Sequence, residues 1–67
     1  MNSIALKQKM LEKQKSNKDI AESLGISRSA IQRKLAGETE FDRTEMKKLI
    51  SVLQLSKDEV MSIFFDM

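Results

Sequence analysis

Four polar side chains lie within residues 28–33, and each can hydrogen-bond to the edge of a nucleic-acid base. They are Arg28, Ser29, Gln32 and Arg33. An arginine guanidinium can bridge O6 and N7 of guanine, and a glutamine amide can pair with N6 and N7 of adenine. A serine hydroxyl donates or accepts at short range. Ile31 and Leu35 are expected to form the buried side of the same helix, so the four polar side chains face outward.

Two short helices and a tight turn must position these side chains. Ser16 precedes a helix whose third residue is Asp19, which is the capping-box pairing of a hydroxyl with a carboxylate. Gly25 is expected to end that helix in a left-handed conformation, because it lacks a Cβ. Ser27 can then cap the next helix. Residues 16–36 are therefore predicted to form helix, turn and helix.

The spacing of small and apolar residues in this stretch matches a helix-turn-helix motif. Ala21 lies where a second helix approaches closely, and Gly25 lies at the turn. Ile26 can pack inward from the turn, and Ile31 falls at a core position. On these residues the chain resembles the helix-turn-helix of Cro- and CI-type phage repressors and their XRE-type bacterial relatives. The resemblance is close over the motif and loose over the flanking helices.

The resemblance implies an all-α fold: a compact five-helix, lambda-repressor-like DNA-binding domain that spans residues 1–67 as a single domain. It also implies that the second helix of the motif enters the major groove and reads bases. The base-reading residues would be Arg28, Ser29, Gln32 and Arg33. Residues expected to contact phosphates are Asn17, Lys18, Ser27, Lys34 and Arg43. Asn17 and Lys18 would stand at a helix N-terminus, where free backbone N–H groups favour an anion.

The loop after the predicted recognition helix departs from the family pattern. Many relatives carry basic residues there, whereas this chain has Glu38 and Glu40. Carboxylates repel a phosphate backbone. This loop is therefore expected to point away from DNA, or to bind it through Thr39 and backbone amides.

Capping signals and apolar periodicity predict the other helices. The absence of proline favours helices with short connections. The first helix is expected over residues 3–13, the second up to residue 24 and the third over residues 28–36, with Gly37 as a stop. Asp42 with Glu45 and Ser56 with Glu59 would start the fourth and fifth helices.

Core positions follow from the same periodicity. Phe41 is expected to pack into the core from the loop before the fourth helix. The expected apolar faces are Ile4, Leu6, Met10 and Leu11 in the first helix, Met46, Leu49, Ile50 and Leu53 in the fourth, and Val60, Ile63 and Phe64 in the fifth.

Composition argues against several classes of function. The chain has no cysteine and no histidine, which removes disulfides, thiolate chemistry and the commonest zinc ligand and general base. No glycine-rich phosphate loop is present, so we expect neither an enzyme nor a metal, cofactor or small-molecule site. No apolar run reaches the length of a membrane span. A soluble, cytoplasmic protein near the DNA of a bacterial or phage-infected cell is the expectation, and Met1 favours a whole protein over an excised domain.

Charge is distributed unevenly along the chain. Residues 1–35 carry eight Lys/Arg and three Asp/Glu, a net +5, whereas residues 36–67 carry four and seven, a net −3. The basic half coincides with the motif, as expected if that surface meets a polyanion. The same excess of basic residues would arise if the lysines of the first helix only kept that helix exposed to water.

The C-terminus is the predicted dimer surface. One small module contacts about one half-site, so proteins of this kind usually bind as symmetric dimers. Phe64 and Phe65 are adjacent, and one helix face cannot bury both. We expect one to serve the core and the other a partner, in the segment that ends with Asp66 and Met67; packing of both within the monomer is the alternative.

These observations predict a sequence-specific, double-stranded-DNA-binding transcriptional regulator, a small Cro/CI-like phage or prophage repressor on an inverted-repeat operator. The alternative is a protein-interaction module, such as an antitoxin or antirepressor, that uses the same fold. Arg28, Gln32 and Arg33 favour the first interpretation, because protein interfaces are enriched in aromatic residues at their cores.

Overall fold

The computed structural model describes residues 1–65, which form five α-helices and no strand. The helices are α1 (Ser3–Glu12), α2 (Asn17–Leu24), α3 (Arg28–Leu35), α4 (Arg43–Leu53) and α5 (Lys57–Phe64). This confirms the all-α, five-helix prediction. Within the described residues, no helix is long and apolar enough to cross a membrane.

Every helix begins at a residue whose side chain accepts a backbone hydrogen bond. The N-caps are Asn2, Ser16, Ser27, Asp42 and Ser56, and each accepts from the N–H group three residues later. Three of them form complete capping boxes, with Asp19, Glu45 and Glu59 as the returning carboxylates. The four predicted caps are confirmed, and Asn2 adds a fifth. These bonds satisfy N–H groups that a helix start leaves without partners.

The core lies where α2 packs against α3 and α4, and α1 against α5. The side chains that are fully excluded from solvent are Leu6, Ile20, Ile31, Leu49 and Leu53. Phe41 is buried, as predicted, although it belongs to no helix. Met46, Ile50, Val60 and Phe64 are half-buried against this cluster. Burial of this apolar surface is the main force that holds the helices together.

The predicted apolar face of α1 is wrong for two residues. Leu6 and Met10, four residues apart, occupy the buried side. Ile4 and Leu11 lie on the opposite side and are 70% and 81% exposed. The helix therefore presents two aliphatic side chains to solvent at a spacing of two turns.

Candidate nucleic-acid interface

The turn between α2 and α3 is fixed by backbone geometry at Gly25. This residue is left-handed, with φ 71° and ψ 31°. Its N–H group donates to the Glu22 carbonyl, and the Ile26 N–H group donates to the Ala21 carbonyl at 3.0 Å. These two bonds are the Schellman pattern that closes a helix C-terminus. The turn sets the direction in which α3 leaves α2.

Helix α3 presents the predicted base-reading side chains together on its exposed surface. Ser27 caps it, with its Oγ accepting from the Ala30 N–H group at 3.0 Å. Ile31 and Leu35 are buried, and this burial fixes which side of α3 faces the core. The four predicted side chains are all exposed: Arg28, Ser29, Gln32 and Arg33. Within residues 1–65, neither guanidinium has an ion-pair partner, so both are available to a ligand.

The N-terminus of α2 offers two unused donors. The Ser16 N–H group donates to Asp19 Oδ2 at 2.9 Å, and the Asp19 N–H group donates to Ser16 Oγ at 3.1 Å. This hydrogen bond from the Ser16 backbone lowers the pKa of Asp19. The backbone N–H groups of Asn17 and Lys18 have no acceptor in the described part of the chain, and both side chains are exposed. Free amides beside a lysine suit a phosphate oxygen.

Lys34 differs from the other predicted phosphate contacts, because its ammonium already has partners. Its Nζ lies 3.0 Å from Glu45 Oε1 and donates to the Glu40 carbonyl at 2.9 Å. It also lies 5.6 Å from the centroid of the Phe41 ring. These partners use two of the three N–H groups of the ammonium, which leaves at most one for a phosphate. Arg43, at the start of α4, is exposed and has no such partners within residues 1–65.

The two C-terminal phenylalanines have different surroundings. Phe64 is half-buried and packs edge-to-face on Phe41, with ring centroids 6.4 Å apart. Phe65 is 53% exposed. One ring thus belongs to the monomer and the other remains on the surface, as expected from their adjacency. Asp66 and Met67, the rest of the predicted dimer segment, lie outside the described residues.

A protein-family model described as helix-turn-helix matches residues 6–60. The chain belongs to this family, the XRE or Cro/CI-like helix-turn-helix proteins. No curated protein and no solved structure matches the chain. The family binds DNA and regulates transcription, and it is not an enzymatic one; the chain is a DNA-binding regulator of the XRE type.

The family match covers the helices that carry the candidate interface. The matched region contains the whole of α2, α3 and α4, and the turn at Gly25. Among the described residues, no group of acidic side chains is arranged to hold a metal ion. The exposed polar side chains of α3 and the free amides of α2 lie within the matched region.

Sequence reasoning missed the contact between Lys34 and Glu45. Lys34 lies in the last turn of α3, whereas Glu45 closes the capping box of α4. Their spacing along the chain fits no helical or strand neighbour rule. The signal that was available, a carboxylate at the third position of α4, predicted only its capping role.

Proposed function

We propose that this chain is a small Cro/CI-like repressor of a phage or prophage, which binds an inverted-repeat operator as a dimer through the major groove. It would act in the cytoplasm, on the DNA of the bacterial or phage-infected cell. The observation that supports this proposal is the exposed set of side chains on α3, Arg28, Ser29, Gln32 and Arg33, beyond a well-formed turn.

Base recognition is assigned to these α3 side chains. Arg28 and Gln32 lie one turn apart, so they can reach successive base pairs from one face of the helix. Gln32 matches adenine and the arginines match guanine. Each good bidentate contact contributes roughly 1–3 kcal/mol of discrimination against a wrong base. A few such contacts are sufficient for a specific half-site.

Phosphate contacts are assigned to residues around α3. The free amides of Asn17 and Lys18 would receive one phosphate, with the Lys18 ammonium beside them. The Ser27 Oγ accepts from Ala30, which leaves its hydroxyl hydrogen for a second phosphate. Arg43 is the candidate for a flanking phosphate. These contacts would position α3 without reading sequence.

Dimerisation is assigned to the C-terminal surface around Phe65. A two-fold symmetric dimer would place two α3 helices about 34 Å apart, on successive major grooves. Phe64 contributes by packing on Phe41 and so supporting the surface from inside. Phe65→Ala should weaken self-association in sedimentation equilibrium and reduce operator affinity, while Lys57→Ala, an exposed change at the start of α5, should do neither. Unchanged association in Phe65→Ala would place the dimer surface elsewhere.

Selection from random DNA duplexes at physiological salt tests the proposed function. We expect enrichment of an inverted repeat with half-site centres about 10 base pairs apart. A single unrepeated site would refute the dimer. Weak binding without any enrichment would favour the alternative, a protein-interaction module such as an antitoxin or antirepressor. The exposed Ile4 and Leu11 on α1 are the observation that favours this second candidate, because aliphatic side chains aligned on one face of a helix are a docking pattern.

Two substitutions separate base reading from phosphate binding. Gln32→Ala should relax preference at one base position and cost roughly 1–3 kcal/mol on the operator, with little effect on random duplexes. Lys18→Ala should weaken binding to all duplexes and reduce the slope of log K against log salt by about 0.9. Fluorescence anisotropy with both kinds of duplex over a salt series measures both effects. Identical behaviour of the two variants would contradict the assignment of α3 to base reading.

A further inference from the structure

The recognition helix is tied to the rest of the domain by a charged contact at its C-terminal end. The Lys34 ammonium lies 3.0 Å from Glu45 Oε1 and 2.9 Å from the Glu40 carbonyl oxygen. The Phe41 ring packs beside the ammonium, with Lys34 Nζ 5.6 Å from the ring centroid. The Lys34 and Glu45 side chains are only 15% and 12% exposed. This contact is therefore largely shielded from water, unlike an ordinary surface ion pair.

The Glu45 carboxylate also belongs to the start of α4. The same atom, Oε1, accepts from the Asp42 N–H group at 2.9 Å, and the Glu45 N–H group donates to Asp42 Oδ1 at 2.8 Å. Glu45 is the one charged residue that is buried among residues 1–65. One carboxylate oxygen thus joins the last turn of α3 to the first turn of α4.

The apolar contacts of α3 do not supply the same restraint. Ile31 and Leu35 hold the helix against the core, but apolar burial is non-directional and tolerates small rotations and tilts. A hydrogen-bonded ion pair specifies distance and direction. Contacts to base edges require side chains to be placed within a fraction of an ångström and about 10–20°. The end of α3 that carries Lys34 is therefore where such orientation can be set.

We propose that Lys34 is a positioning residue for DNA recognition, which fixes the angle of α3 through Glu45 and makes no contact with DNA itself. This inference rests on the proposed function. It takes the place of a phosphate contact by Lys34, because two of the three N–H groups of this largely buried ammonium already have acceptors, in Glu45 and Glu40. The chemistry of the site favours the internal partner.

Glu45→Gln gives opposite results under the two roles of Lys34, and Lys34→Met removes the ammonium itself. Glu45→Gln keeps an oxygen that can accept from Asp42 but removes the charge that holds the ammonium. If Lys34 positions α3, Glu45→Gln and Lys34→Met should each weaken binding to the selected operator, by roughly 5- to 150-fold, the equivalent of one misplaced base contact. If Lys34 binds phosphate, Glu45→Gln would release it and strengthen binding to every duplex.

The salt dependence provides a readout that a loss of stability does not move. Lys34→Met should leave both the salt slope and the affinity for random duplexes unchanged, whereas loss of a phosphate contact reduces the slope by about 0.9. Lys34→Arg keeps a cation that can reach Glu45 and should restore most of the operator affinity. All variants are compared at a temperature at which circular dichroism shows each to be folded.

The proposal is overturned by a reduced salt slope in Lys34→Met, by tighter binding in Glu45→Gln, or by unchanged operator affinity in both variants. Failure of the proposed function is a different result, because the unmodified chain would then select no sequence from random duplexes.

Discussion

Helices α2 and α4 end in the same backbone conformation but with different residues. Gly25 after α2 has φ 71° and ψ 31°, and Gln54 after α4 has φ 52° and ψ 50°. Glycine adopts this left-handed region without penalty, whereas a residue with a Cβ is strained there. We therefore predict opposite effects for two substitutions: Gly25→Ala should lower the free energy of unfolding and Gln54→Gly should raise it.

The size of the Gly25→Ala effect follows from the space around the residue. A Cβ at Gly25 would meet no atom within 4 Å, so the substitution introduces backbone strain and no clash. That strain is roughly 1–2 kcal/mol. Reduced freedom of the unfolded chain offsets about 0.4–1 kcal/mol of it. The net loss of unfolding free energy in Gly25→Ala is about 1 kcal/mol. Gln54→Gly should gain a similar amount, because it removes the backbone strain, while the freedom that it restores to the unfolded chain offsets part of that gain.

The Gln54 side chain adds little to this difference. Its Oε1 accepts from the Lys13 ammonium at 3.5 Å, on the exposed surface. A contact at that distance is at the limit of hydrogen bonding, and exposed polar contacts contribute little. Backbone strain should therefore decide the sign of the Gln54→Gly effect.

Urea unfolding followed by far-ultraviolet circular dichroism measures both effects, because the chain contains no tryptophan or tyrosine to report by fluorescence. A change of 1 kcal/mol shifts the melting temperature of so small a domain by roughly 4–8 °C. Gly37→Ala is the matched control, since Gly37 has φ 84° and equal space for a Cβ. It should lose as much stability as Gly25→Ala.

Two outcomes would refute this reasoning. One is a loss of more than about 3 kcal/mol in Gly25→Ala, which backbone strain cannot supply. The other is a loss of stability in Gln54→Gly. A Gly25→Ala variant that unfolds like the Gly37→Ala control but binds DNA less well would instead show that the turn has a separate role in orienting α3.

Two further predictions concern the body of the domain. The hydrogen bond from Lys9, with that from the Ser56 backbone, lowers the pKa of Glu59 from 4.5 to about 2. Because this pKa is depressed in the folded state, the ionised carboxylate stabilises the fold fully above about pH 4.5, and that stabilisation is lost as the pH falls toward 2. Glu59→Gln should therefore lose less unfolding free energy than the unmodified chain between about pH 4.5 and about pH 2. Identical acid-unfolding curves for the two proteins would contradict the ion pair. Leu49 is fully excluded from solvent, so Leu49→Ala should cost about 2–5 kcal/mol of unfolding free energy in urea, and a loss below about 1 kcal/mol would contradict its place in the core.

Most of the fold was predictable because its signals are local. A serine or aspartate followed by a carboxylate three residues later marks the starts of α2, α4 and α5. The structure confirms each of these three starts with a complete capping box. The start of α1 lacks this signature: Asn2 caps it, but Ala5 at the third position offers no returning side chain. The start of α3 also lacks a returning side chain, at Ala30, and there the glycine turn before Ser27 supplied the signal instead.

The orientation of α1 was not predictable, because its sequence contains two apolar stripes. Leu6 and Met10 are four residues apart on one side, and Ile4 and Leu11 are seven apart on the other. Each pair satisfies helical periodicity. Which pair is buried depends on how α1 packs against α5, and that is a property of the tertiary structure.

The exposed surface of α3 was predictable for a related reason. Ile31 and Leu35 are its only two large aliphatic residues, so they fix the buried side, and the polar residues must face solvent. The partners of Lys34 were not predictable, because Glu45 comes near only when α4 folds back beside α3. Sequence therefore indicates which side chains of α3 are exposed, but not which of its cations already has a partner within the chain.

In the folded chain, the acidic half supplies partners for some cations of the basic half. Two lysines of the basic half, Lys9 and Lys34, bond to Glu59 and Glu45 of the acidic half. Each of these carboxylates also closes a capping box, so one group starts a helix and holds a cation from the other half of the chain. The cations of the motif that have no ion-pair partner within residues 1–65 are Lys18, Arg28 and Arg33. The acidic half thus stabilises the fold and leaves these three cations of the motif for the DNA that the domain is proposed to bind, although the net charge of the chain is only +2.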